Sequence, residues 1–135
     1  MQLSRKCEYA FLALIELAKD KQLKSIQQIA EACDIPKKFL EQIMTILKNA
    51  GLIQSVKGAH GGYRLKKKPE EITIAQIIRL IDGPIAPVRC VSKYFYEPTP
   101  IERHEGFYLL MIEIRDMILD KLEKTTIKDV LHMKK

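Results

Sequence analysis

Lys37, Lys38, Glu41, Gln42 and Thr45 share one side of a short stretch of this 135-residue chain, and each can donate or accept hydrogen bonds. A few residues further on, Lys57 and His60 sit in a glycine-rich segment that ends at Tyr63, with Arg64, Lys66, Lys67 and Lys68 behind it. Polar residues at helical spacing beside a cationic loop suit duplex DNA. The helix side chains can reach base edges in the major groove, and the loop can meet phosphates or the minor groove. The candidate DNA-binding set is therefore Lys37, Lys38, Glu41, Gln42, Thr45, Lys57, His60 and Tyr63. A second candidate is Cys90, beside Arg89 and Lys93, because nearby cations lower a thiol's pKa and favour the reactive thiolate. Two readings of it stand, a thiol switch or a small apolar residue packed under a loop. Catalytic signals are weak. The GAHGG run has neither the phosphate-loop lysine spacing nor the dinucleotide fingerprint, and His60, His104 and His132 have no local nucleophile. No enzyme activity is expected.

The elements that would position the first set can be read from periodicity. Pro36 suits a first helical position, since its missing N–H would have no partner there. Phe39, Leu40, Ile43, Met44 and Leu47 form one apolar stripe of helical period, and Gly51 is placed as the left-handed cap. Leu52–Ser55 and Tyr63–Leu65 read as paired strands around a glycine-rich bend. Upstream, Ser4 can cap a first helix, and Ser25 begins a second whose Ile26, Ile29, Ala30 and Cys33 are in register. The Asp34–Ile35–Pro36 turn then gives helix-turn-helix spacing, so residues 1–82 read as a winged helix-turn-helix domain. Cys33 is expected to be a buried structural thiol.

Downstream, Thr73 caps a fourth helix that Gly83 and Pro84 stop. Residues 83–102 contain four prolines and cannot be regular helix, yet Val88, Val91, Tyr94, Phe95 and Tyr96 make them too apolar for a free linker. This is a sensor-type loop expected to pack against something. From about Arg103 to Glu123 a long helix carries Phe107, Leu110, Met111, Ile114, Met117, Ile118 and Leu122 in one stripe, with more apolar residues beside it. So wide an apolar surface exceeds what one small head can cover, and 103–123 reads as a dimerisation helix. Thr125 or Thr126 caps a last short helix, which completes a third segment, 103–135. The fold class is mainly α.

Charge supports a polyanion partner. Net charge is +6, and the first 68 residues hold 13 of the 23 Lys and Arg but only 6 of the 17 Asp and Glu. All of the excess therefore lies in the half with the helix and wing. Roughly 18 uninterrupted apolar residues would be needed to span a membrane, and no such run occurs. The N-terminus enters an amphipathic pattern that keeps Glu8 and Glu16, unlike a signal peptide, so a cytoplasmic protein with no membrane partner is expected. Cys7, Cys33 and Cys90 are far apart and give neither a disulfide framework nor a self-contained metal site.

The run LEQIMTILKNAGLIQSVKGAHGGYRL, Leu40 to Leu65, resembles the recognition helix and wing of the small bacterial regulators that include IscR, NsrR and CymR. LSRKCEYAFLAL, ITIAQIIRLIDGPIAPV and TTIKDV are similar to their other segments, in the right order. The resemblance implies a homodimeric winged-helix transcription factor, most often a repressor, that binds double-stranded DNA. It puts Lys38, Glu41 and Gln42 at base-edge positions and Lys57 at the wing tip, where relatives often have Arg. Two such heads on one dimer imply a palindromic operator. Several relatives hold an iron–sulfur cluster through three loop cysteines and a further ligand. Here only Cys90 remains of those cysteines. His104 and Glu105 are the other nearby candidates, and Glu8 matches a carboxylate that some relatives borrow from the partner subunit. One thiolate is a poor holder for such a cluster, so no cofactor is expected. A redox signal, a small metabolite and a partner protein all stay open as the stimulus. The rival reading is a winged-helix protein-interaction module without DNA binding, which predicts no salt-dependent affinity for duplexes.

Overall fold

Six helices and one hairpin make up the computed structural model, which describes residues 1–135. They are α1 (Arg5–Ala18), α2 (Ile26–Cys33), α3 (Lys37–Asn49), β1 (Ile53–Val56), β2 (Gly62–Leu65), α4 (Ile74–Ile81), α5 (Glu105–Lys124) and α6 (Ile127–His132). Single 3-10 turns occupy Pro69–Glu71, Arg89–Val91 and Pro100–Arg103. The fold is mainly helical with a small antiparallel sheet, as expected.

Most boundaries have a local cause. Ser4 Oγ accepts from the Cys7 N–H at 3.1 Å, and Thr73 Oγ1 from that of Gln76 at 3.2 Å. Ser25 and Gln28 cap α2 reciprocally, as Thr126 and Asp129 cap α6, so Thr126 and not Thr125 starts the last helix. Pro36 stands one position earlier than predicted. Its ψ of 127° is extended, so it is the N-cap of α3 and its carbonyl accepts from the Leu40 N–H at 3.0 Å. Likewise α5 begins at Glu105 rather than Arg103, because His104 Nδ1 accepts from the Phe107 N–H at 3.2 Å. Gly51 has a φ of +78° and closes α3 as expected. Leu52 still donates to the Leu47 carbonyl, so β1 starts one residue later than the apolar run suggests.

One core of 21 buried residues joins α1, α2, α3, α4 and the hairpin, and it also takes in Leu119 and Ile127. Two backbone bonds fix the tail to the head: Ile74 N–H to the Thr125 carbonyl and Ile127 N–H to the Ile72 carbonyl, both at 2.9 Å. The segment 103–135 is therefore not a separate packing unit. The first turns of α5 pack on the 83–102 loop, while its last turns and α6 join the shared core. Cys33 proves only half-buried, with its Sγ donating to the Leu12 carbonyl at 3.5 Å. Phe39 also departs from the stripe. It is 38% exposed and meets Tyr9 edge-on, with ring centroids 5.6 Å apart.

The 83–102 loop does pack. Ala86, Cys90 and Val91 form a second small core with Tyr108, Met111 and Ile112 of α5, and Arg115 Nη1 donates to the Val91 carbonyl at 3.1 Å. Among the 20 residues of α5, Leu119 alone is fully buried. Phe107, Leu109, Leu110 and Met117 stay 52%, 52%, 44% and 73% exposed. No helix is long and apolar enough to cross a membrane.

Candidate nucleic-acid interface

The amphipathic split of α3 sets up the site. Leu40, Ile43, Met44 and Leu47 are fully buried, which turns Lys37, Lys38, Glu41, Gln42 and Thr45 together toward solvent. The side chains of Lys37, Lys38, Glu41 and Gln42 make no hydrogen bond or ion pair within the chain, so their donors and acceptors stay available. Thr45 differs, because its hydroxyl donates to the Glu41 carbonyl at 3.0 Å and keeps only its lone pairs for a ligand. The buried leucines and Met44 hold the helix rigidly, which suits a surface that must match base edges in register.

The wing is braced at its root. Register pairs Val56 with Gly62 nearest the tip and Ile53 with Leu65 at the base. Lys57 and His60, between the strands, are exposed. Gly62 is required twice over. Its φ is +152°, and a Cβ there would lie 2.7 Å from the Lys24 carbonyl oxygen. That close approach lets Tyr63 and Lys24 exchange backbone bonds at 2.8 and 3.0 Å, adding a short third edge to the hairpin. Tyr63 is thus placed differently from Lys57 and His60. Half-buried against the main core, it docks the wing onto the head instead of lying at the tip. Lys24 is held in turn by its Nζ donating to the Glu16 carbonyl at 2.7 Å.

Arg64 was outside the candidate set and belongs beside it. Its strand partner is Gln54, whose amide oxygen, in the orientation that satisfies both groups, accepts from Nε at 2.7 Å and Nη2 at 3.1 Å. The guanidinium is thereby pre-oriented on the exposed face of the wing. The signal in the sequence was the polar Gln facing an Arg across a short hairpin, legible only once the register is known.

The sensing candidates do not converge. Cys90 is 4% exposed beneath Val88, Ile101, Tyr108 and Met111. Arg89 turns to Glu97 at 3.2 Å, so much of its charge is already matched by a carboxylate. His104 uses Nδ1 to cap α5, Glu105 is exposed, and Glu8 pairs with Arg5 at 3.4 Å. No three His, Cys, Asp or Glu side chains gather closely enough to hold a metal ion. An iron–sulfur cluster takes most of its ligands from thiolates. The one loop thiol here lies under apolar cover, so the residues of a single chain do not fit that group. A different thiol, Cys7, lies in the main core. Cys7 is fully buried, and burial, aided by the nearby Asp82 carboxylate, pushes it from 9.0 up to about 12, so it is inert at neutral pH.

The model of the Rrf2 family, described as an iron-dependent transcriptional regulator, matches residues 3–133. The HTH-type transcriptional regulator CymR of Bacillus subtilis is 37% identical over 132 residues, which cover 96% of this chain and 89% of that protein. The solved structure of B. subtilis CymR, titled the global cysteine regulator, superposes with a TM-score of 0.79 at 35% identity, covering 100% of this chain and 99% of that one. IscR of T. potens gives a TM-score of 0.70 at 26% identity, over 100% and 93% of the two chains. The chain belongs to the Rrf2 family, and it is a DNA-binding, helix-turn-helix transcriptional regulator.

Proposed function

We propose that this protein binds an imperfectly palindromic operator as a homodimer in the cytoplasm and represses transcription from it. The observation that carries the reading is the face of α3. Lys38, Glu41 and Gln42 stand exposed with no partner of their own on a helix whose other side is wholly buried. Glu41 then accepts from cytosine N4–H, and Gln42 pairs with adenine through both its amide atoms. Lys57 and His60 reach the backbone or the minor groove. Lys57 offers a point charge in place of a planar fork, so its contribution is mainly electrostatic.

Residues 103–123 supply the dimer contact in this reading. Phe107, Leu110 and Met117 are 52%, 44% and 73% exposed, so a partner covering them would gain roughly half or more of the 1.5–3 kcal/mol that full burial of each large side chain brings. Two heads joined this way address half-sites roughly 34–36 Å apart, or a multiple of that. The signal reaches the 83–102 loop as a small metabolite or a partner protein. Burial of Cys90 disfavours direct oxidation unless the loop first opens.

The test is a series of binding titrations against a duplex selected from genomic fragments, at several salt concentrations. Phosphate neutralisation predicts a linear fall of log affinity with log salt. An affinity that ignores salt, or none at all in dilute buffer, would point instead to a protein-interaction module.

A further inference from the structure

Near the Lys24–Tyr63 bridge, residues 17–21 and 64–69 line a cleft of about 520 Å3 at the base of the wing. Its walls carry Lys19, Lys21, Arg64, Lys66, Lys67 and Lys68, against Asp20 as the single carboxylate lining it. Lys19 is paired with Glu16 at 3.0 Å, but the other five cations form no ion pair within the chain. A neighbouring cation, by contrast, is matched. Lys24, one strand position away, sits between Glu16 at 3.7 Å and Asp20 at 3.5 Å. Five unmatched positive charges around one cavity repel each other and lower the energy of any anion placed among them.

The cleft is also held in shape. The N–H groups of Lys66 and Lys67 both donate to the Leu52 carbonyl, at 2.9 and 3.4 Å, and Pro69 then turns the chain into a 3-10 turn. Gln54 fixes the Arg64 guanidinium, whose planar fork matches a phosphate bidentately, while the lysines act as point charges around it. The volume lies within the roughly 300–1,000 Å3 of ordinary ligand sites. Because the Ile53–Leu65 pair marks the base of the hairpin, this cleft lies at the opposite end from Lys57 and His60. It is not part of the wing-tip contact.

We propose that this cleft is a second anion site that binds clustered phosphate oxyanions, supplied either by a free oligophosphate or by duplex backbone flanking the operator. Binding in the full-length protein distinguishes the two sources. The variant is Lys21→Gln/Lys67→Gln, both exposed positions, and the control of equal charge is Lys93→Gln/Lys134→Gln, far from the cleft in sequence. Thermal melts of both confirm folding. In the first arm, sodium tripolyphosphate is titrated calorimetrically. A free-phosphate site predicts one saturable event per chain that weakens about tenfold in the cleft variant and not in the control. In the second arm, a selected operator duplex is compared with and without long flanks. A backbone site predicts that only the long duplex weakens, again about tenfold, and that its salt slope falls by about two. The second arm needs the DNA-binding reading; the first does not. If the cleft variant and the control behave alike in both arms, the site does not exist.

Discussion

The head and α5 treat apolar surface in opposite ways. In α3, Leu40, Ile43, Met44 and Leu47 are fully buried and the polar side chains face out, so the helix is complete within one chain. In α5, Leu119 alone is fully buried, while Phe107, Leu109, Leu110 and Met117 lie 44–73% exposed. The two helices are built from similar residue types, but only one is finished within the chain. α3 is closed by its own domain and presents polar groups. α5 leaves apolar surface exposed in the single chain, as interaction surfaces do.

Breaking the closed side should give the largest effect. Leu40→Ala leaves a cavity in the main core and is expected to cost about 2–5 kcal/mol, read from urea unfolding. Breaking the open side should spare the head. Leu110→Glu/Met117→Glu is expected to leave the helical circular dichroism largely intact, abolish the dimer in sedimentation, and weaken operator binding about a hundredfold through lost bivalency. If this variant instead unfolds the whole chain at every concentration, the α5 face belongs to the fold and the contrast fails.

Smaller effects sharpen the contrast within the DNA-binding face. Gln42→Ala should relax preference at one base position by about 1–3 kcal/mol, measured by binding to operators altered one pair at a time. Lys57→Ala should weaken all duplexes alike and reduce the salt slope by about one. A separate effect concerns pH and appears only in alkaline solution. The Cys7 thiol, held at about 12 in the folded protein against an ordinary 9.0, stays protonated while the unfolded chain ionises. Its contribution is full below pH 9.0 and is lost as pH rises toward 12. Unfolding midpoints across that range should fall in the wild type and flatten in Cys7→Ala.

How far the sequence could be read depended on whether one segment decided the outcome. Caps and stripes are local, so Ser4, Ser25, Thr73 and Gly51 could be placed from their neighbours alone. Pro36 was misplaced by one residue: its φ suits a helix, but its extended ψ of 127° makes it the cap, and the sequence does not reveal that ψ. Tyr63 reads as the first residue of a DNA-facing strand, since nothing in the hairpin sequence reveals that Lys24 pairs with it across 39 positions. The same long-range geometry concealed the Gln54–Arg64 brace and the basic cleft. Burial of Cys90 was equally non-local. It depends on Tyr108 and Met111 of α5 closing over the loop, which favours the packed apolar residue over the thiol switch that its neighbours Arg89 and Lys93 kept open. The return of α6 to the head, through Ile127 beside Ile72, was likewise invisible to periodicity.

Sedimentation of the protein with a selected operator duplex tests the central claim most directly. Two chains joined through α5, with both α3 helices on one duplex, predict a single complex of two chains per operator and a dimer in the absence of DNA. A monomer that binds one chain per duplex, or a dimer that leaves the duplex free in dilute buffer, would contradict it.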